Sequence, residues 1–306
     1  MQKKAILIAG PTASGKSTLA LKLASALNGV IINADALQVY SNWRILTARP
    51  SVEDQLLAQH FLYGHIQKTA GYSVGIWLRE VSQLIENENI IPIIVGGTGL
   101  YLSALTNGLS EIPPVPDSIR QMGNEIRITQ GGPAFLQHLE QQDPETLRRL
   151  DKSNPARLQR AWEVLEATGK GLAYWHARPA PPILPLESTM PITLNWHPDE
   201  LKARIDTRFD AMMASGAITE CETALREGFD PDLPSGRAIG AREIISALEG
   251  KISMQEAVAK AKILTRQFAK RQRSWFRSKM KDWHEIKLPD NESINELVHS
   301  AKLQFR

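Results

Sequence analysis

Apolar residues along the chain follow two rhythms. Ala5–Ala9 (AILIA) is an unbroken apolar run of strand length. After a short loop, Leu19, Leu23 and Leu27 recur every four residues with Ala20 and Ala24 beside them, which predicts strand, loop and helix. Val30–Asn33 (VIIN) predicts a second strand, closing just before Asp35. A helical pattern around 75–87, with Ile76, Leu84 and Ile85 among its apolar positions, leads to a third strand at 90–95 (IIPIIV). The turn 96–99 (GGTG) then opens a helix carrying Leu100, Tyr101, Ala104 and Leu105. Alternating strands and helices predict an α/β class with a parallel sheet covered on both faces.

The texture changes at 111–118 (EIPPVPDS). From there to about 170 the pattern is helical and polar, with helix starts at Asp143-Pro144 and Asn154-Pro155 and a stop at Gly169. A link with five prolines between 179 and 191 follows, and 191–196 (PITLNW) predicts a returning strand. Beyond 199 the chain reads as helical apart from turns such as 229–237. The expected organisation is therefore an α/β core made of 1–111 and 191–306, with an all-helical insertion at 112–190.

Composition adds constraints. With 306 residues, 42% of them apolar, the chain can bury a core without covalent staples. One cysteine, Cys221, excludes an intrachain disulfide framework and any cysteine-rich zinc site, and it reads as a packed thiol on a helix. No apolar run approaches the ~20 residues of a membrane span. The basic start (MQKK) leads into a five-residue apolar run and a glycine loop, which reads as a first strand and not as a signal peptide, so the expected setting is a reducing cytoplasm. Charge is unevenly placed. Residues 260–281 carry nine basic groups and no acidic one, so a chain of formal charge +3 is −6 without them. Such a run is the footprint of a phosphate-rich partner, or else a solvated helix face. Trp275 and Phe276 inside it suit stacking on bases, or anchoring of the helix.

Chemistry concentrates at Gly10-Pro11-Thr12-Ala13-Ser14-Gly15-Lys16-Ser17, which matches G-x-x-x-x-G-K-[ST] between a strand and a helix. Glycines let the backbone curl so that its N–H groups converge on phosphate oxygens, the helix start adds positive potential, Lys16 supplies a cation, and Ser17 can hold Mg²⁺. The core is therefore P-loop NTPase-like, with a di- or triphosphate ligand. The third predicted strand ends in glycines with no acid, whereas a conventional NTPase places a second carboxylate at such a strand end. Asp35 is the only acid directly after an apolar strand. It suits a general base, or else a metal-shell or helix-capping carboxylate.

Several segments together resemble one family almost end to end, the tRNA dimethylallyltransferases (tRNA isopentenyltransferases): 10–17, DALQVY (35–40), TARP (47–50), PIIVGGTGLYLSAL (92–105), the helical stretch 201–216, RAIGAREI (237–244) and TRQFAKRQRSWFR (265–277). The resemblance implies transfer of a dimethylallyl group from dimethylallyl diphosphate to N6 of adenosine 37 of tRNA, with release of diphosphate. It implies Asp35 as the general base, Thr12, Lys16 and Ser17 as diphosphate and Mg²⁺ binders, and Arg204 as the clamp on the leaving diphosphate, with Arg208 a second candidate. Read without the family, Arg204 is an exposed helix arginine paired with Asp206 or Asp210. The resemblance further implies tRNA contacts by Asp35, Ala36, Leu37 and Gln38, by Thr98, by Arg120, and by Gln159, Arg160, Ala161, Trp162 and Glu163. Packing is the plainer reading for Leu37 and Trp162, and a helix cap for Thr98. Lys270, Arg271 and Arg273 of the basic run are expected to meet RNA phosphates, with the helical insertion gripping the anticodon stem–loop. The expected protein is a cytoplasmic monomer.

The pattern departs from the family at Ala36, commonly serine, and at 44–50, where Arg44 replaces a carboxylate, Leu46 a glycine and Arg49 a lysine. The seven histidines show no metal-binding spacing, and His60 reads as a local structural hydrogen bond. Two other functions compete with the transferase: an ATP-dependent kinase, which leaves the basic run unexplained, and a nucleotide-gated RNA-binding protein without catalysis.

Overall fold

The computed structural model describes residues 4–86, 90–287 and 291–305; residues 1–3, 87–89, 288–290 and 306, which the expected core ranges include, lie outside them. The chain folds as two compact units, Met1–Thr106 with Ile183–Arg306, and Asn107–Pro182.

The first unit holds six parallel strands: β1 Ala5–Ala9, β2 Val30–Asn33, β3 His60–Phe61, β4 Pro92–Gly96, β5 Thr189–Asn195 and β6 His284–Lys287. Their order is β3-β2-β4-β1-β5-β6. Because the strands are parallel, β1, β2 and β4 end at the same edge. The register Ile6↔Ile93 and Ile31↔Ile93 sets these three ends level with one another. Ile6, Ile8, Ile31, Ile93 and Ile192 pack on one face against Leu19 and Leu23 of helix Lys16–Leu27 and against Leu297 and Ala301 of helix Asn291–Gln304. Leu7, Ile32 and Ile94, turned to the other face by the two-residue period, are equally buried. Burial on both faces explains why these strands read as continuous apolar runs. Trp77 anchors helix Val74–Ile85 to the end of β2, its indole donating to the Asn33 carbonyl at 2.7 Å while its ring stacks on Tyr101.

Two strands were not expected. β3 is only two residues long. β6 lies in the stretch that reads as wholly helical: His284, Glu285 and Lys287 are exposed and only Ile286 faces the core, so its sequence carries one apolar position and no periodicity. It pairs with β5 at the edge, where polar side chains meet water.

The second unit is helical, as the texture after 111 predicts. Asp143 accepts from Thr146 N–H at the start of helix Pro144–Arg149, Asn154 accepts from Arg157 N–H at the start of helix Pro155–Thr168, and Gly169 closes the latter at φ 64°. Phe135, Leu139, Leu158 and Trp162 form its core. The unit ends at Pro182, so the second half of the proline-rich link stays with the sheet: Leu184 N–H donates to Leu105, Lys4 N–H to Ser188, and β5 begins at Thr189.

At Gly96 the chains approach too closely for any side chain, since a Cβ there would lie 2.0 Å from the Ala34 carbonyl oxygen. Gly96→Ala should therefore destabilise the protein by about 1–3 kcal/mol in urea denaturation. Parent-like stability would show that β2 and β4 can separate at this edge.

Candidate active site

The phosphate loop leaves β1 and turns back on itself. Ser14 N–H donates to the Pro11 carbonyl at 3.2 Å, and Ala13 and Gly15 take left-handed conformations at φ 64° and 91°. Gly10 has no room for a side chain, because a Cβ would meet Ser14 Oγ at 2.8 Å and the Leu194 carbonyl at 3.0 Å. Helix Lys16–Leu27 follows with no side chain capping its start and no acid in its first turn, which leaves its N–H groups directed at the loop. Ser14 Oγ is buried without a hydrogen-bond partner, Ser17 is exposed, and Lys16 donates to the Pro11 carbonyl at 2.7 Å. Burial of the ammonium, reinforced by the like charge of Arg208 and opposed by Asp35, lowers the Lys16 pKa to about 7.

Asp35 follows β2, two strands from the loop. Asn33 fixes its backbone, accepting from Asp35 N–H at 2.8 Å and donating to the Asp35 carbonyl at 3.0 Å. One carboxylate oxygen accepts from Leu37 N–H at 2.9 Å. The turn after β4 lies between these two loops. Thr98 Oγ1 accepts from Ala36 N–H at 3.0 Å, so its hydroxyl is tied to the Asp35 loop. Gln38 donates to the carbonyls of Thr47 and Ala48.

Helix Pro198–Ala214 supplies two of the cations. Arg204 Nε donates to the Ala13 carbonyl at 2.9 Å, and its guanidinium lies 4.2 Å from the centre of the Trp196 ring. Trp196 in turn donates to the Ser14 carbonyl at 2.9 Å. Arg208 donates to Thr12 Oγ1 at 3.3 Å. Asp206 and Asp210, the alternative partners considered for Arg204, instead pair with Arg266 at 3.5 Å and Lys262 at 2.6 Å. Two of the nine basic groups of the run, Lys262 and Arg266, thus fasten helix Met254–Lys279 to its neighbour. Lys270, Arg271 and Arg277 are exposed and carry no ion pair among the described residues, while Arg273 is half-buried with an unpartnered Nε.

These groups converge on a cleft of about 1180 Å³. Of the residues singled out from sequence, it brings together Thr12 to Ser17, Asp35 to Gln38, Thr98, Arg204, Arg208 and Arg271; Gly10 and Pro11 form the base of the loop beneath it. Among the described residues, the carboxylates lining it are Asp35 and Asp54, against Lys16 and five arginines. In the helical unit Arg120 and Arg160 are exposed, whereas Gln159, Ala161, Trp162 and Glu163 are buried, Gln159 donating to Asn124 and Glu163. His60 Nδ1 lies 2.9 Å from the Ala58 carbonyl, and Cys221 is buried with its thiol pKa pushed up to about 12 by burial. Where Arg44 replaces the family's acid, Glu220 brings a carboxylate to the amides of Arg44, Ile45 and Leu46 at 2.5–2.9 Å.

Sequence reading passed over Trp196, Arg237 and Gln272. Trp196 directly follows a parallel strand, as Asp35 nearly does, and that position alone marked it. Gln272 shares the buried stripe of its helix with Ala269 and Phe276, so a polar residue on an apolar face was the available signal.

A parallel sheet with a phosphate loop at one strand end, a lone carboxylate at another and arginines facing both defines a P-loop-like α/β protein. The profile of the IPP transferase family matches residues 38–279. A tRNA dimethylallyltransferase from Cereibacter sphaeroides (strain KD131 / KCTC 12085) is 53% identical over 93% of this chain and 89% of its own length, and one from Dinoroseobacter shibae is 51% identical over 91% and 93%. Among solved structures, a eukaryotic dimethylallyltransferase captured acting on tRNA superposes with a TM-score of 0.83 at 26% identity, covering 98% of this chain and 78% of that one. The full-length tRNA isopentenylpyrophosphate transferase of Bacillus halodurans gives 0.70 at 28% identity over 100% and 97%. The chain belongs to the IPP transferase family.

Burial of the Lys16 ammonium costs the fold stability. Below about pH 7 it is charged in both folded and unfolded states and the cost of burial is fully present. As pH rises toward the ordinary value of 10.5, the folded form releases its proton first and the cost is relieved. Lys16→Met should therefore be more stable than the parent without ligand, by a margin largest below pH 7 that shrinks by pH 9 in urea denaturation. A margin independent of pH would mean that the ammonium is not held dry.

Proposed function

We propose that the protein transfers a dimethylallyl group from dimethylallyl diphosphate to N6 of adenosine 37 of tRNA. The N6–C1 bond forms as the C1–O bond to diphosphate breaks, and the N6 proton passes to Asp35. The observation that carries this reading is the single cleft lined by the phosphate loop, by Asp35 and by Arg204 and Arg208. An exocyclic amine is a poor nucleophile, and a carboxylate that takes its proton as the bond forms lowers the barrier. At the other end a diphosphate gains charge as it leaves. Arg204, Arg208 and Lys16 suit that stage, since a guanidinium fork binds phosphate oxygens best when they carry most charge.

The orphaned Ser14 hydroxyl and the uncapped helix start suit phosphate oxygens. Mg²⁺ fits the same end through Ser17 and the diphosphate's own oxygens; no group of three His, Cys, Asp or Glu side chains among the described residues could hold a metal by itself. Bound there, Mg²⁺ would neutralise charge on the diphosphate. The helical unit would grip the anticodon stem–loop, with the exposed Arg120 and Arg160 as its phosphate contacts, while the buried Gln159, Ala161, Trp162 and Glu163 hold that surface in shape. The target adenine has to leave its stack to reach Asp35. Lys270 and Arg271 would position the RNA through its phosphates. No helix among the described residues is long and apolar enough to cross a membrane, and the setting proposed is the cytoplasm, where tRNA resides.

Unmodified tRNA, dimethylallyl diphosphate and Mg²⁺ incubated with the protein should yield, after digestion, an adenosine heavier by one isopentenyl unit. Asp35→Ala should lower that rate by about 10²–10⁴-fold while leaving most tRNA binding intact. ATP hydrolysis without prenylated adenosine would overturn the proposal, and a near-parent rate for Asp35→Ala would remove it as base.

Converting both Lys270 and Arg271 to Gln should flatten the dependence of log tRNA affinity on log salt by about 0.7–0.9 for each RNA phosphate that is no longer neutralised. An unchanged slope would place the RNA on another surface.

A further inference from the structure

Gln272 lies within the cationic run yet faces away from it. Lys270 and Arg271 are exposed, whereas Gln272 is 6% exposed and shares the inner face of helix Met254–Lys279 with Ala269 and Phe276. Both ends of its amide are used. Oε1 accepts from Thr12 N–H at 2.9 Å, and Nε2 donates to the Gly97 carbonyl at 2.9 Å. Gly97 has to be glycine for this, because a Cβ there would lie 2.3 Å from Gln272 Nε2. Each backbone group it holds belongs to a functional loop. Thr12 opens the phosphate loop and receives Arg208 on its hydroxyl. Gly97 precedes Thr98, whose hydroxyl holds Ala36 N–H beside Asp35.

We infer that Gln272 is a positioning residue that fixes the separation between the leaving diphosphate and the base that accepts the amine's proton. The inference rests on the prenyl-transfer reading of the same cleft. Displacement at carbon needs the incoming nitrogen, the carbon and the departing oxygen in line. A misplacement of about 1 Å between the two ends costs on the order of 10²-fold in rate. The register of β2, β4 and β1 brings the loops side by side, but loops beyond strand ends are not held by the sheet ladder. A planar amide that donates at one end and accepts at the other suits a gap between an N–H and a C=O. Glutamate, with acceptors only, leaves one oxygen against the Gly97 carbonyl, and methionine fills the space without either bond.

The test compares the parent with Gln272→Met and Gln272→Glu in steady-state prenylation of tRNA, alongside thermal denaturation and amide exchange at Thr12. The expected result is a ten- to hundred-fold loss of kcat in both variants. KM for dimethylallyl diphosphate and for tRNA should stay within about threefold, the salt slope of tRNA binding should not change, and Thr12 N–H should exchange faster than in the parent. Gly97→Ala, which pushes the amide out without altering Gln272, should reproduce the kcat loss and serves where a Gln272 variant does not fold. Parent-like kcat in these variants, or a loss confined to KM for tRNA, overturns the inference while leaving the transferase reading intact. A parent that makes no prenylated adenosine overturns both.

Discussion

Three neighbouring parallel strands that end level with one another are the constraint on which this site depends. β2, β4 and β1 lie side by side, so the loops that leave them are neighbours whatever sequence they carry. Asp35 is two strand spacings, about 10 Å, from the phosphate loop, with the Gly97–Thr98 turn between them. The small residues here follow from that crowding. Gly96 lies under the Ala34 backbone and Gly97 under Gln272, so the first glycine marks where β4 meets the Asp35 loop and the second where the turn meets a helix. Parallel α/β proteins generally bind ligands beyond the carboxyl ends of their strands, and here that end is covered by helices Pro198–Ala214 and Met254–Lys279, which contribute Arg204, Arg208, Arg271 and Gln272.

Charge is distributed unevenly across this unit. Arg266 and Lys262 are neutralised by Asp206 and Asp210, which joins the two helices, while Arg204 and Arg208 turn toward the loop and find only carbonyl and hydroxyl oxygens. Burial lowers the pKa of Arg208, only partly offset by Asp35, and lowers that of Lys16 more. Such groups are poorly solvated and lack a full counter-charge. An anion that supplies one recovers what their burial costs, so the site suits a polyanion. The same reasoning assigns Trp196 a part: by lying against Arg204 and bonding Ser14, it holds a cation close to the loop without neutralising it.

The legible parts of the sequence were those where one strong local rule acts. Buried parallel strands produce apolar runs, and β1 and β2 fell where those runs lie. Proline after an Asx residue placed both helix starts in the second unit, and the phosphate loop was readable because its glycines and lysine are required by geometry in a single stretch of chain. The illegible parts depend on partners far away in the chain. β6 is a strand because β5 offers an edge, and nothing in HEIK says so. Gln159 and Glu163 are buried, Gln159 donating to Asn124 and to Glu163, and only packing between helices distinguishes that from exposure. Lys262 and Arg266 of the basic run are structural and equally illegible, since Asp206 and Asp210 lie more than fifty residues upstream of the lysine and arginine they neutralise.

Alkyl transfer explains why these separate pieces have to act as one. As the new bond forms, positive charge appears at the amine and negative charge accumulates on the diphosphate, so one end of the cleft must take a proton while the other holds an anion. Asp35 and six cations line the same cleft, and those cations suit the stage at which the anion is released. Because the two demands arise at the same instant, catalysis depends on the distance between the groups as much as on their identity. A side chain that touches neither reactant can therefore matter as much as one that does, provided it sets that distance.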